Sequence, residues 1–264
     1  MPQFTTSDEL TLHYETHGFS NSGPVIVFLN GMTQTTRHWT THCRKLRDSH
    51  RVLTYDARGQ GRSDAPTSAP SLETHSRDLL ELLKHLEIDE ADLVGFSHGA
   101  RIALGFATRY ADRLRRLVLC GATAQPTALA ETIVRSWQEI LELGGLPALA
   151  WASLPTIIGN DFLEKNAFLL DNIVRASVER NSEQGTRLLL EGLVNFPPLD
   201  DLADQVGAPT LVITGEADLL APAEGARQLA ELCGGTHKLI KNSGHTVPIE
   251  QAEEFRRLIT DFLG

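Results

Sequence analysis

Ala91-Asp92-Leu93-Val94-Gly95-Phe96-Ser97-His98-Gly99-Ala100 is the stretch on which the reading of this chain turns. Ala91 to Phe96 has the length and composition of a strand buried on both faces. From Ala100 to Tyr110 the pattern becomes helical. Between the two lies Gly95-Phe96-Ser97-His98-Gly99, a G-x-S-x-G. A strand that passes directly into a helix must turn sharply. The two glycines keep Cβ atoms out of that turn, so Ser97 can hold a strained backbone and expose its hydroxyl. The helix that starts there points free N–H groups and a positive dipole end at the same place. A tight turn with a capping serine would use the same residues, so the motif draws its meaning from the strand before it and the helix after it.

Outward from this point, strand and helix signals alternate. Val25 to Leu29 and Arg51 to Tyr55 read as buried strands, and Leu114 to Cys120 as another. Leu10 to Thr16 alternates apolar and polar residues, as an antiparallel strand with one solvated face would. Ser71 to Leu86 carries Leu72, Leu79, Leu82, Leu83 and Leu86 at helical spacing. Pro209 to Thr214, Ala223 to Leu232, His237 to Ile240 and Gln251 to Leu263 repeat strand and helix to the end. Such alternation predicts an α/β fold: a mostly parallel central sheet flanked by helices. Residues 124–204 break the rhythm, with helical periodicity (Ile133, Trp137, Ile140, Leu141; Phe168, Leu169, Ile173, Val174) and no clear strand. That segment is too apolar for a solvated linker. The expected organisation is therefore a core of residues 1–123 and 205–264 with a helical cap inserted at 124–204.

Bulk composition narrows the partners. A chain of 264 residues with a formal net charge of −10 and scattered basic residues is a poor match for nucleic acid. No apolar run approaches the roughly 18 residues of a membrane span, and no signal peptide is visible, so the expected location is the cytoplasm and no membrane partner is expected. Cys43, Cys120 and Cys233 are too far apart for a thiolate zinc site or a disulfide framework. No His/Cys/Asp/Glu cluster has ligand spacing and no dinucleotide fingerprint follows a strand, so neither a metal nor a cofactor is expected. The Asp56-Ala57-Arg58-Gly59-Gln60-Gly61-Arg62-Ser63 loop lacks the spacing of a phosphate cradle.

Two further motifs complete a pattern with Ser97. Thr214-Gly215-Glu216-Ala217-Asp218 follows the strand that ends at Thr214, and Asn242-Ser243-Gly244-His245 follows the last strand. With the G-x-S-x-G, these resemble the α/β-hydrolase family over essentially the whole chain, in the family's order of serine, acid and histidine. The resemblance implies Ser97 as nucleophile, His245 as general base and Asp218 as the residue that orients it. Serine is weak at neutral pH and needs a base; histidine has a suitable pKa, and an acceptor must fix its tautomer. Glu216, Asp200, Asp201 and Asp204 are the competing acids. An oxyanion hole would use the backbone N–H of His98 and of Met32, in the Asn30-Gly31-Met32 loop. Relatives often have His-Gly where this chain has Asn30-Gly31, which leaves open how the loop is anchored. The Asp56–Ser63 loop is expected to brace the site.

The expected reaction is hydrolysis of a carboxylic ester or lactone through an acyl-enzyme. The alternatives are C–C bond hydrolysis of a diketone, thioester hydrolysis, or a ligand receptor without turnover. Haloalkane chemistry is disfavoured, because it needs a carboxylate at position 97. The expected partner is a small-molecule substrate, with the protein a monomer or homodimer. Trp137, Trp151 and Arg37 are the candidate substrate-binding residues; Arg37 and Arg101 lie near the oxyanion loop and the nucleophile helix in sequence, where one of them could meet a substrate carboxylate, and core packing in the helical segment competes for each tryptophan.

Overall fold

The computed structural model describes residues 2–264. Eight strands run β1 (Gln3–Thr5), β2 (Thr11–His17), β3 (Val25–Leu29), β4 (Arg51–Tyr55), β5 (Ala91–Phe96), β6 (Leu114–Cys120), β7 (Thr210–Gly215) and β8 (Thr236–Ile240). Their order across the sheet is β1-β2-β4-β3-β5-β6-β7-β8. β3, β5 and β7 are buried at every position, which only interior strands covered on both faces achieve. β2 is antiparallel to its neighbours and lies towards one edge; β4 to β8 and β3 are parallel. The helices are α1 (Thr40–Leu46), α2 (Leu72–His85), α3 (His98–Arg109), α4 (Ala128–Ile157), α5 (Asn160–Asn166), α6 (Leu170–Arg180), α7 (Glu183–Val194), α8 (Asp200–Ala203), α9 (Ala223–Leu232), α10 (Val247–Glu250) and α11 (Ala252–Leu263).

The alternation of side chains along β3 divides the core in two. Val25, Val27 and Leu29 meet Leu79 and Leu82 of α2, Ala103 and Phe106 of α3 and Leu229 of α9. Ile26 and Phe28 meet Trp39, Leu46 of α1 and Phe255 and Ile259 of α11. Cys43, Cys120 and Cys233 are buried and unbridged. Register is parallel and in step where it matters: Leu29 lies opposite Tyr55 on one side and Gly95 on the other. The C-terminal ends of β3, β4 and β5 therefore reach the same edge of the sheet, where α/β folds place their ligands.

The strands and long helices fall within two residues of the sequence expectation, with α3 starting at His98 rather than Ala100. β1, α1 and α10 have no counterpart in that reading, because three to seven residues are too few to show a period. Five helices and no strand occupy the chain between β6 and β7. One expectation is corrected there. α4 is, by length and composition, apolar enough to cross a membrane, although no such run is apparent to the eye. Isolated Glu and Arg residues in its first half mask the apolar second half. The helix breaks at Gly145, whose φ is 68°, and sends Ile133, Trp137, Leu141 and Leu149 into one apolar cluster with Leu190 of α7.

Candidate active site

Ser97 caps α3 with φ 53° and ψ −112°, a conformation that L-residues seldom adopt. Crowding enforces it. A Cβ on Gly95 would lie 2.4 Å from the Gly99 carbonyl oxygen, and one on Gly99 would lie 2.3 Å from that of Leu29. The turn is fixed from below by the Ser97 amide, which donates to the Cys120 carbonyl at 2.8 Å. Strain of this kind persists only where the surroundings over-determine it.

The three elements that follow β5, β7 and β8 converge. Ser97 Oγ lies 2.9 Å from His245 Nε2, and His245 Nδ1 lies 2.8 and 3.0 Å from the two carboxylate oxygens of Asp218. Asp218 Oδ1 also accepts from the amides of Leu220 and Ala221 at 2.9 and 2.8 Å. These donors set the carboxylate's orientation, and charge-assisted bonds are the strong ones. His245 is 4% exposed and Asp218 5%, so little water competes for their bond. Glu216, the rival acid in the same turn, is exposed and accepts from the Asn242 amide instead. Asp200 points its carboxylate at Gln125 and its own helix start. The Phe96 ring packs 5.1 Å from the imidazole. Behind it, a Cβ on Gly121 would come within 2.9 Å of His245 Cε1, so nothing larger than hydrogen fits there without moving the ring.

The amides of Met32 and His98 have no acceptor among the described residues. The loop that carries Met32 is held by Asn30. Its side-chain amide donates to the Tyr55 carbonyl (2.9 Å), Asp56 (3.2 Å) and Gln60 (3.3 Å), while its oxygen accepts from Trp39 Nε1 at 2.8 Å. Gln60 returns two bonds, donating to the carbonyls of Gly31 and Met32 at 2.9 and 3.0 Å. The anchoring that Asn30 left open in the sequence is thus supplied by Asn30 itself, and the Asp56–Ser63 loop braces the site through Gln60. That loop is locked in turn by Arg58, whose guanidinium binds both oxygens of Asp78 and both of Asp8. The pairing lowers the Asp8 pKa to about 2.

One contributor escaped the sequence reading. Glu250 Oε2 accepts from the amides of Gly159 (2.9 Å) and Gly244 (2.8 Å), and Oε1 accepts from the Thr246 amide (3.0 Å) and hydroxyl (2.7 Å). It grips the backbone on both sides of His245 and ties that loop to the α4–α5 junction. Its only signal was its place five residues after His245.

The candidate substrate residues separate. Trp137 is buried in the apolar cluster against which Met32 and Leu220 also pack, and its indole N–H has no acceptor among the described residues. Trp151 is 46% exposed and lines an open groove of about 400 Å³ with Pro147, Val174 and Arg175, away from that cluster. Arg37 is exposed on the 3₁₀ turn before α1. No hydrogen bond, ring contact or shared groove joins Trp151 or Arg37 to Ser97 among the described residues.

A Ser–His–Asp chain of hydrogen bonds beside two free amides, at the C-terminal edge of a parallel sheet, is the equipment of acyl transfer. The chain belongs to the α/β-hydrolase family, whose model matches residues 26–258. Among solved structures it is similar to the enol-lactonase of Burkholderia xenovorans LB400, with a TM-score of 0.91, 29% identity and 99% of each chain covered. It is also similar to a thermophilic esterase from Thermogutta terrifontis, with a TM-score of 0.88, 26% identity and 99% and 97% of the chains covered. A Bacillus subtilis (strain 168) protein provisionally named 2-succinyl-6-hydroxy-2,4-cyclohexadiene-1-carboxylate synthase is 28% identical over 254 residues, 92% of this chain and 91% of that protein.

Proposed function

We propose that this protein is a serine hydrolase of carboxylic esters or lactones. The observation that carries the reading is the unbroken chain from Ser97 Oγ through His245 to Asp218, with both links under 3.1 Å. In acylation, Ser97 attacks the substrate carbonyl as its proton passes to His245 Nε2. Negative charge on the former carbonyl oxygen is met by the N–H groups of His98 and Met32, and Asp218 stabilises the imidazolium. The imidazolium then protonates the leaving alkoxide, and the acyl group stays on Ser97. A water deprotonated by His245 repeats the sequence and releases the acid.

Residues 124–204 act as a cap over this centre in the proposal. The support is that Met32 and Leu220, from the two sides of the centre, pack against Trp137 and its apolar neighbours in α4 and α7. Such a wall favours an apolar acyl or alkyl group next to the reacting carbonyl. The relatives with an enol-lactonase and an esterase among them agree with oxygen-ester chemistry.

The test is active-site labelling with a fluorophosphonate, together with turnover of p-nitrophenyl acetate and a panel of lactones, thioesters and a vinylogous diketone. Labelling of the wild type but not of Ser97→Ala, with ester or lactone turnover leading the panel, is the expected result. Labelling of both proteins alike, or turnover of the diketone alone, would overturn it.

A further inference from the structure

The helices between β6 and β7 leave one apolar face uncovered. From Leu143 to Asn160 the chain carries no Asp, Glu, Lys or Arg. Yet only 22% of the most apolar 18-residue stretch of α4 is buried. Leu149 turns inward to the cluster around Trp137. Pro147, Trp151 and Pro155, spaced i, i+4 and i+8, are all exposed. Beside them α6 presents Asp171, Val174, Arg175 and Val178, the i, i+3, i+4, i+7 pattern of one helix face. Together with Pro147, Trp151 and Glu179 these residues wall the open groove of about 400 Å³. Phe168, 79% exposed, lies three residues before Asp171, on a 3₁₀ turn that runs straight into α6. Clustered apolar exposure of this kind marks a surface that meets something.

A lipid surface fits it poorly. The formal net charge of the chain is −10, which anionic headgroups repel. Nor is α4 free to enter a bilayer, since it breaks at Gly145 and its first half packs on α7. The charges on α6 fit a second copy instead. Asp171, Arg175 and Glu179 follow one another at four-residue intervals with signs minus, plus, minus. Their side chains make no hydrogen bond or ion pair among the described residues. A two-fold contact must be self-complementary, with residue i of one copy meeting j of the other and j meeting i. A two-fold axis across α6 near Ile173 runs the two helices antiparallel and sets each Asp171 opposite the partner's Arg175. The same register sets each Phe168 opposite the partner's Val178, which lines the groove. An axis at Arg175 would bring like charges together at all three positions.

We propose that this face of α4 and α6 is the interface of a homodimer. Phe168 of each copy enters the other's groove between Trp151 and Val178, and two reciprocal Asp171–Arg175 pairs close the rim. An aromatic anchor in a pocket with charges around it is the anatomy of a specific interface. The register is fixed by the charged pairs and the affinity is carried by the ring, because exposed ion pairs contribute little on their own.

The experiment is sedimentation equilibrium of the full chain from about 1 to 100 μM. The wild type should pass from monomer to dimer within that range. Phe168→Asp should raise the dissociation constant about 100-fold or more. Arg175→Glu and Asp171→Arg each turn two attractive pairs into repulsive ones, so each alone should associate about tenfold or more weakly. Mixed in equal amounts, these two variants should form a heterodimer, because every pair then has opposite signs. Trp39 and Trp137 are buried, so acrylamide quenching reads Trp151. Quenching should fall as the wild type is concentrated and stay constant for Phe168→Asp. Both charge variants alter exposed side chains only, and they decide the matter should Phe168→Asp fail to fold. A wild type that stays monomeric throughout overturns the proposal, as does a dimer that all three substitutions leave intact. A mixture of the charge variants that remains monomeric overturns the register and with it the interface. Flotation of the monomer with phosphatidylcholine vesicles would assign the face to lipid and overturn it as well.

Discussion

Two buried histidines adjoin Ser97, and the fold treats them in opposite ways. His245 reaches the serine from 148 residues away with both ring nitrogens engaged. Its acceptor, Asp218, is itself held by two amides. His98 is the next residue in the chain, yet its ring turns away against His75 and Phe196 and bonds to nothing. Burial and the nearby Arg101 charge push its pKa down to about 3. A fully satisfied polar network fixes one geometry and rewards it; an unsatisfied one costs stability in the empty protein. The first therefore belongs to a device whose parts are all protein. The second leaves its ring nitrogens without an acceptor from the protein.

The largest test breaks the satisfied side. Ser97→Ala should cut turnover about 10⁴-fold or more and leave the fold intact, as far-ultraviolet circular dichroism would show. Retained turnover would remove the serine from the reaction. Next comes the acid. Asp218→Asn keeps the shape, but an amide can stabilise the wrong imidazole tautomer, so kcat should fall about 10²- to 10⁴-fold with a smaller change in KM. Glu216→Gln, assayed beside it, should stay within about twofold of the wild type. The reverse pattern would move the acid to Glu216.

The satisfied side was the legible side. Ser97 was located by its strand–turn–helix pattern, and Asp218 and His245 by the resemblance to the α/β-hydrolase family, in small-residue turns that follow strands. Their convergence followed from the order of a parallel sheet. The loop support was only half legible: Asn30 looked like a loss of anchoring because its partners, Tyr55, Asp56 and Gln60, are more than 20 residues away. The unsatisfied side was legible only in part. His75 is one of several polar residues in α2, and only the packing of α2 on α3 shows that it meets His98. Arg101 was visible as a cation near the nucleophile, but an absent partner has no sequence signature. Trp137 and Trp151 show the same limit, since helical periodicity in residues 124–204 does not say which face of a helix looks at the sheet.

A smaller effect sharpens how the satisfied side is held. Glu250 uses both oxygens, one on the Gly159 and Gly244 amides and one on Thr246. Glu250→Gln turns an NH₂ towards one of those pairs, where donor would face donor. His245 should then be positioned less well, and kcat should drop about tenfold with a Tm lowered by several degrees. Activity at the wild-type level would mean that Asp218 and Gly121 alone fix the ring.

The smallest effect tests the unsatisfied side without any substrate. Burial pushes the His75 pKa well below its ordinary value, with the charges of Arg58 and any proton on His98 acting in the same direction. Unfolded, the ring titrates near 6.5. Below that pH the unfolded chain binds a proton that the native protein refuses, so unfolding becomes easier as pH falls. One such ring steepens the dependence of unfolding free energy on pH by up to about 1.4 kcal/mol per unit. His75→Phe keeps an aromatic ring beside Phe196 and removes the titration. Urea unfolding at pH 7, 6, 5 and 4 should give a shallower loss of stability in the variant, by about that amount per unit below pH 6, with little difference at pH 7. His38 and His42, whose pKa values burial lowers to about 4, contribute equally to both proteins and cancel. Identical slopes would mean that His75 takes up its proton in the folded state, and so has an acceptor or an opening to water that the packed His75–His98 pair does not provide.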